Sequence, residues 1–204
     1  MNKYALALHT TSPELGLAIG NFAQDLRSAS WLLERSLASH LHQYLAEFIK
    51  PQTWADLAFI AVAKGPGGFT GTRIGVVTAR TIAEQLDLPL FAISTLAAVA
   101  WCHRLEETIA VQMPAQRGQL FTAIYQVKPE YTGLSSLVAD TVMSPAAWED
   151  TLANWSTSYK LIQVEGGLGA TATSVLELAY LDWKQGKQPH WSEALPFYGQ
   201  APVD

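Results

Sequence analysis

The chain of 204 residues is poor in cysteine and poor in charge, and it has no long apolar run. Its one cysteine, Cys102, cannot form an internal disulfide, and only His103 lies beside it in sequence as a second metal-ligating side chain. Charged residues such as Lys64 and Arg73 interrupt the apolar stretches before these reach membrane-spanning length. The N-terminus has a single lysine ahead of a short apolar run and no convincing cleavage site, which favours a cytoplasmic protein with no membrane segment.

Basic residues are also few. The chain has 13 lysines and arginines against 18 acidic residues, a net charge of −5, and no run of three basic residues. A protein that binds nucleic acid by itself usually carries a basic patch, so strong direct binding to tRNA or DNA is not expected. Apolar residues make up 49% of the chain, which is enough for a substantial core in one domain or two small ones.

The hydrophobic pattern in the first half of the chain predicts strands that give way to helices. Three short strands form a meander, and a helix over 36–50 follows and is ended by Pro51. A fully apolar strand over 57–64 is typical of a sheet that is covered on both faces. A long helix from Thr70 to about Leu86, a short strand and a further helix complete this set.

A second, similar set of elements begins near Thr108. The full order is βββαβαβα followed by ββ(β)αβα, which is typical of one unit built twice with the second copy less complete. The two sets share element order but no sequence motif. We therefore expect a domain of residues 1–105 and a smaller domain of residues 106–204.

A glycine-rich stretch, KGPGGFTGTRIG, spans Lys64 to Gly75 and joins the apolar strand to the long helix. Such a turn can bind phosphate through backbone N–H groups, but this one lacks the spacing and lysine of a Walker loop, and Pro66 removes a donor. In the alternative, structural role, the glycines form a tight turn, Phe69 anchors the loop in the core and Thr70 caps the helix. The residues assigned to this structural loop are Gly65, Pro66, Gly67, Gly68, Phe69 and Thr70.

Small residues form a stripe along the predicted helix after this loop. Gly71, Gly75, Ala79 and Ala83 recur every four residues and so share one face. Two glycines inside a helix cost about 1 kcal/mol each relative to alanine, and some contact must offset that cost. Either the stripe packs against the protein's own sheet or first helix, or it lets a helix of another protein approach closely.

The stretch GPGGFTGTRIG resembles the GPGSFTGLRIG-type signature of the TsaB family, also called YeaZ. The segment YALALHTTS at 4–12 is similar to the family's opening strand, Ser94, Thr95 and Leu96 match an STL triplet, and His40 matches a histidine near the start of a helix. The resemblance covers the first half well and the second half only by element order. It implies an α/β fold of the actin/Hsp70/sugar-kinase-like class (ASKHA), with two related βββαβαβα-type domains of which the second is reduced.

TsaB proteins are non-catalytic relatives of the TsaD subunits, which attach threonylcarbamoyl to adenosine 37 of certain tRNAs. The resemblance implies a subunit without catalytic residues or cofactor that pairs with a TsaD-like subunit and reaches a TsaE-like ATPase through the complex. It also implies that the chain can form a homodimer when alone. Members pair through helices of the first domain, which favours the intermolecular interpretation of the small-residue stripe. The partner-interface residues predicted on this basis are Leu37, Leu41, Gly71, Arg73, Gly75, Val76, Ala79 and Ala83.

The residues themselves disfavour nucleotide and metal chemistry. ATP-using enzymes of the implied fold need a carboxylate at the first hairpin to hold Mg²⁺, but His9 stands there, and a neutral imidazole is a poor Mg²⁺ ligand. Thr10–Ser12 are expected to satisfy the turn's own backbone groups. His40 and His42 lie two residues apart on a predicted helix, so they point in nearly opposite directions and cannot chelate one ion. A small-molecule kinase or ATPase is the alternative function, with Glu14 as the nearest carboxylate.

The sequence departs from the family pattern at several positions. His9 replaces an aspartate, and a charged DAR-x-GE pattern becomes PAQRGQ, with Pro114, Gln116 and Gln119 at the altered positions. A C-terminal ending of the Y-R type becomes Tyr198-Gly199-Gln200, without the arginine. These changes leave a third possibility open, which is a homodimeric module with some other partner.

Overall fold

The computed structural model describes residues 3–200, and its first sheet has five strands. They are β1 (Tyr4–His9), β2 (Glu14–Gly20), β3 (Leu26–Leu32), β4 (Leu57–Ala63) and β5 (Leu90–Ile93). The strands lie in the order β3-β2-β1-β4-β5, so that β1 occupies the centre. The pairs β1–β2 and β2–β3 are antiparallel, whereas β1–β4 and β4–β5 are parallel.

One face of this sheet is covered by the helices α1 (Leu37–Phe48) and α2 (Phe69–Leu86). Leu6 and Leu8 of β1 point to this face and are fully buried. They pack with the buried residues of both helices in one core cluster, so burial of large aliphatic side chains holds α1 and α2 to the sheet.

The opposite face of the sheet carries small side chains. Ala5 and Ala7 of β1 and Ala61 of β4 are fully buried there, beneath the helix α5 (Ala172–Lys184). Because alanine adds little bulk, α5 packs close to the strands through residues such as Val175. Coverage on both faces explains why β1 and β4 read as apolar runs without polar alternation.

The second sheet repeats this plan with four strands. They are β6 (Thr108–Pro114), β7 (Leu120–Val127), β8 (Leu134–Met143) and β9 (Lys160–Gln163), in the order β8-β7-β6-β9. The first three are antiparallel neighbours, and β9 is parallel to β6. The predicted repetition is therefore confirmed, because each sheet is a three-stranded meander extended by parallel strands, two in the first sheet and one in the second.

Two helices pack on the sheet that the other half of the chain forms. Helix α3 (Thr95–Cys102) comes from the first half but packs on the second sheet, whereas α5 comes from the second half and packs on the first sheet. The other face of the second sheet is covered by α4 (Pro145–Ala153), whose Trp148 is almost fully buried. The domain boundary near residue 105 stays a prediction. In the described part of the chain, every helix is too short or too polar to cross a membrane.

Candidate functional site

The glycine-rich loop, residues 64–70, is pressed between two other segments of the chain. Gly65 has a φ of +103°, and a Cβ at this position would overlap the backbone carbonyl of Phe197. A Cβ at Gly67 would overlap Thr11, and the N–H of Gly68 donates to the Thr11 carbonyl at 2.7 Å. Close backbone contacts within the protein therefore account for glycine at Gly65 and Gly67.

The last two residues of the loop differ from expectation. Helix α2 begins at Phe69 with Gly68 as its N-cap and no capping side chain, so Thr70 does not cap the helix. Phe69 is half-buried, and its ring centroid lies 4.3 Å from that of Tyr198 rather than in the core of a sheet. The C-terminal segment that holds Phe69 is too distant in sequence to be inferred from the loop itself.

The two helical glycines of α2 face Thr10, which follows β1. A Cβ at Gly71 would overlap the Thr10 carbonyl, and a Cβ at Gly75 would overlap the Thr10 hydroxyl. The Thr10 hydroxyl donates to the Gly71 carbonyl at 2.8 Å. Contact with Thr10 therefore explains both glycines. This corrects the expectation that a helix of another protein docks on the small-residue stripe.

Burial extends this correction to most of the predicted interface. All the predicted residues except Gly71 and Arg73 are buried inside the protein. They lie on the inward-facing sides of α1 and α2, and they are Leu37, Leu41, Gly75, Val76, Ala79 and Ala83. Gly71 is half-buried and Arg73 is exposed. A bulky change such as Gly75→Leu would therefore disrupt the fold and would not report on docking.

An exposed face lies beside the buried stripe. Val77 is 51% exposed in the middle of α2, and Arg73 and Thr81, one turn before and one turn after it, are also exposed. On α1, Ala38 and His42 are exposed. A groove of about 690 Å³ lies between the N-terminal ends of the two helices. Its lining includes Arg35, Leu37, Ala38, Thr70, Gly71 and Ile74. The sequence analysis missed Val77, although its spacing from Arg73 puts both on one helical face off the small-residue stripe.

His9 ends β1 inside the protein. It is fully buried, and neither ring nitrogen has a hydrogen-bond partner among residues 3–200. Burial lowers the pKa of His9 to about 3, so the ring is neutral at physiological pH. A buried neutral imidazole cannot replace the carboxylate that holds Mg²⁺ in enzymes of this fold.

The polar residues after His9 bond within the protein. The Thr11 hydroxyl lies 3.2 Å from the Thr95 hydroxyl, and the Ser12 hydroxyl donates to Glu14 at 2.8 Å. Glu14 also accepts from the N–H of Gly169 at 3.1 Å. The hydroxyls were expected to bond to the turn's own backbone, but those of Thr10 and Thr11 bond to α2 and α3, and that of Ser12 bonds to the side chain of Glu14 at the start of β2. Within residues 3–200, no group of three His, Cys, Asp or Glu side chains is placed to hold a metal ion.

A cleft of about 610 Å³ lies where the first turn and the glycine loop face the second sheet. Thr11 and Phe69 line one side, and Met113 and Phe121 line the other. Among the described residues that line it, Glu165 is the only charged one. Magnesium prefers carboxylate and other oxygen ligands, and Glu165 is the single carboxylate among the described residues that line the cleft, so these residues fit a magnesium nucleotide poorly.

The altered positions of the second half meet at the edge of this cleft. The Gln200 side-chain amide donates to the Gln119 side chain at 2.7 Å, although 81 residues separate them in sequence. Gln200 also bonds to the backbone of Gln116, accepting from its N–H at 3.0 Å and donating to its carbonyl at 3.2 Å. Two neutral side chains thus contact each other where the family pattern has charged residues.

Comparisons with known proteins find relatives of this chain. A family model described as TsaD: tRNA N6-adenosine threonylcarbamoyltransferase matches residues 32–178. The tRNA threonylcarbamoyladenosine biosynthesis protein TsaB of Bacillus subtilis (strain 168) is 42% identical over 98 residues, which are 48% of this chain and 42% of that protein. The protein of the same name from Escherichia coli (strain K12) is 34% identical over 74 residues, which are 35% of this chain and 32% of that protein. The chain thus matches less than half the length of these curated relatives.

The fold is shared with a solved structure over almost the whole chain. YeaZ from Pseudomonas aeruginosa superposes with a TM-score of 0.78 at 20% identity and covers 96% of this chain and 100% of that one. An identity this low is evidence for the fold alone. With two related mixed sheets and the family model, it confirms the actin/Hsp70/sugar-kinase-like fold expected from the sequence.

Proposed function

Because this chain belongs to the family of the TsaD model and, within it, to the TsaB (YeaZ) proteins, we propose that it is a non-catalytic subunit in tRNA threonylcarbamoyladenosine biosynthesis. In this role it pairs with a TsaD-type threonylcarbamoyltransferase, which modifies adenosine 37 of tRNA. A TsaE-like ATPase belongs to the same complex. When the TsaD-type partner is absent, the chain forms a homodimer through the surface that would otherwise bind that partner.

The chemistry of the described residues in and beside the cleft supports the non-catalytic part of this proposal. His9 is buried and neutral, and Glu14 is engaged by Ser12 and the backbone of Gly169. No cationic side chain lines the cleft among the described residues. These features also argue against the alternative of a small-molecule kinase or ATPase.

The exposed face of α1 and α2 is the observation that carries the pairing part of the proposal. Val77 presents an aliphatic side chain at 51% exposure, and the groove beside it contains Leu37 and Ile74. Of the predicted interface residues, Arg73 lies on this face and is free to meet an acidic group. An aliphatic centre with a charged residue at its edge is the usual composition of a specific protein interface.

A charge at the centre of this face tests the docking surface. We expect Val77→Glu to abolish co-purification of the TsaD-type protein of the same organism, because a carboxylate would be buried without a partner. Leu137→Glu is the matched control, since Leu137 is 44% exposed on β8 of the second sheet. Circular dichroism would verify that both variants stay folded.

The two variants separate the possible outcomes. Loss of the partner with Val77→Glu and its retention with Leu137→Glu would support docking on the α1–α2 face. Retention of the partner with Val77→Glu would contradict this surface. The tRNA modification itself is tested by mass spectrometry of bulk tRNA from cells that carry each variant as the sole copy, where Val77→Glu should lower the threonylcarbamoyladenosine content and Leu137→Glu should not.

A further inference from the structure

The chain after α5 runs back across the molecule as an irregular segment with one 3-10 turn (Trp191–Glu193), residues 187–200, which we call the strap. It begins at the first sheet, where the Pro189 carbonyl accepts from the N–H of Leu90 at 3.2 Å. The guanidinium carbon of Arg80 on α2 lies 5.8 Å from the ring centroid of Trp191. Ala194 is buried in the core under that helix. The first part of the strap is therefore fixed to the first half of the protein.

The strap then reaches the glycine-rich loop. The N–H of Phe197 donates to the Lys64 carbonyl at 2.7 Å, and the Phe197 carbonyl fills the space that a side chain at Gly65 would need. One residue later, the Tyr198 ring stacks at a 31° tilt against Phe69. These contacts make the glycine loop the anchor of the strap on the first half.

The next two residues attach to the second half. Gly199 has a φ of +66°, and a Cβ there would lie 2.9 Å from Phe121 and 3.1 Å from Val142. Gln200 makes three hydrogen bonds to the turn between β6 and β7, two to the backbone of Gln116 and one to the side chain of Gln119. This turn is the anchor of the strap on the second half.

We propose that Phe197–Gln200 form a latch that fixes the opening of the cleft between the two halves. The two anchors lie on opposite sides of the cleft, and Tyr198 and Gln200 line the cleft between them. Three residue steps of chain span at most about 10 Å, so the glycine loop and the β6–β7 turn cannot separate beyond that reach without breaking an anchor. A ligand that is too large for this opening must displace Phe197–Gln200 to enter the cleft from the side on which these residues lie.

Hydrogen exchange of the isolated full chain, followed by mass spectrometry, tests the latch. In Gln200→Ala we expect roughly tenfold faster exchange in peptides from the β6–β7 turn, residues 114–120, and faster exchange in the glycine loop, residues 64–70. Gln185→Ala is the matched control, because the Gln185 amide also reaches a distant backbone carbonyl, that of Thr132 at 3.5 Å, away from the cleft. It should leave both segments at the wild-type rate.

A second variant breaks the other anchor. Tyr198→Ala removes the stack on Phe69, and the latch requires that exchange then also accelerates in the β6–β7 turn, which Tyr198 does not hold by a hydrogen bond. Acceleration confined to the segment next to each substitution would overturn the latch and leave two independent local contacts. The measurement needs no partner protein, so its result is independent of the proposed function.

Discussion

At the scale of single residues, His9 has the most unusual environment. An imidazole with two unpartnered nitrogens in a core costs free energy even when it is neutral, and protonation would add a buried charge. Among residues 3–200 no ionic partner contributes to its pKa, which burial lowers to about 3 from the ordinary 6.5. The free energy of folding therefore depends on pH through His9, because the His9 side chain is buried at the end of β1 in the first sheet.

The stability of the protein should therefore fall as the pH decreases below about 6.5. Because the pKa of His9 is lower in the folded than in the unfolded chain, the unfolded chain binds the extra proton between pH 6.5 and 3. We expect His9 to contribute a loss of about 2 kcal/mol in the free energy of unfolding between pH 7 and pH 5. Urea unfolding at the two pH values measures this loss, which His9→Leu should remove.

His42→Leu is the control for this prediction, since His42 is exposed on α1. It makes the same chemical change at a ring whose surroundings change little on folding. If His9→Leu and the wild type lose equal free energy of unfolding between pH 7 and pH 5, His9 is not the source of the acid sensitivity.

At the scale of elements, the contact between α2 and Thr10 makes a prediction that opposes helix propensity. Gly→Ala inside a helix normally stabilises by about 1 kcal/mol, but a Cβ at Gly75 would overlap the Thr10 hydroxyl. We expect Gly75→Ala to lower the free energy of unfolding by roughly 1–3 kcal/mol, the usual range for overpacking. Chemical denaturation measures the change.

A double-mutant cycle identifies the cause. In a Thr10→Ala background the hydroxyl is absent, and Gly75→Ala should then cost much less, which gives a coupling free energy well above about 0.5 kcal/mol. Gly68→Ala is the comparison at the N-cap, since its Cβ would meet only the Thr11 carbonyl at an ordinary 3.5 Å. An equal cost of Gly75→Ala in both backgrounds would rule out the Thr10 contact as the reason for the glycine.

The same helix shows what the sequence could and could not predict. The periodicity that predicts α2 is local, and the structure agrees with it to within one residue at the start. The partners of its glycines are not local, because Thr10 lies more than 60 residues before Gly71 and Phe197 more than 130 residues after Gly65. A single sequence shows that small residues share a face but not which surface that face meets, so it does not separate an internal contact from an intermolecular one. It groups Arg73 and Val77 on a neighbouring face by their spacing but does not show that this face is the exposed one.

At the scale of the whole molecule, the two halves are joined by more than the strap. Helices α3 and α5 lie against each other, and each packs on the sheet of the opposite half. The Ser94 hydroxyl, which caps α3, donates to Asp140 of β8, as does the hydroxyl of Tyr125. Burial and the neighbouring Asp140 carboxylate raise the pKa of Tyr125, so its hydroxyl stays protonated and keeps donating. We infer that the two halves fold as one cooperative unit.

This exchange of helices predicts that residues 1–105 do not fold alone. Without α5, the alanine face of the first sheet, including Ala5, Ala7 and Phe59, would be exposed to water, and α3 would lose the second sheet. We expect the isolated fragment to bind the dye ANS and to lack a near-UV circular dichroism signal, the signs of a chain without fixed packing. Mixing it with a fragment of residues 106–204 should restore the signal, because α5 would again cover the sheet. A fragment of residues 1–105 that unfolds cooperatively by itself would instead show that the predicted boundary separates two independent domains.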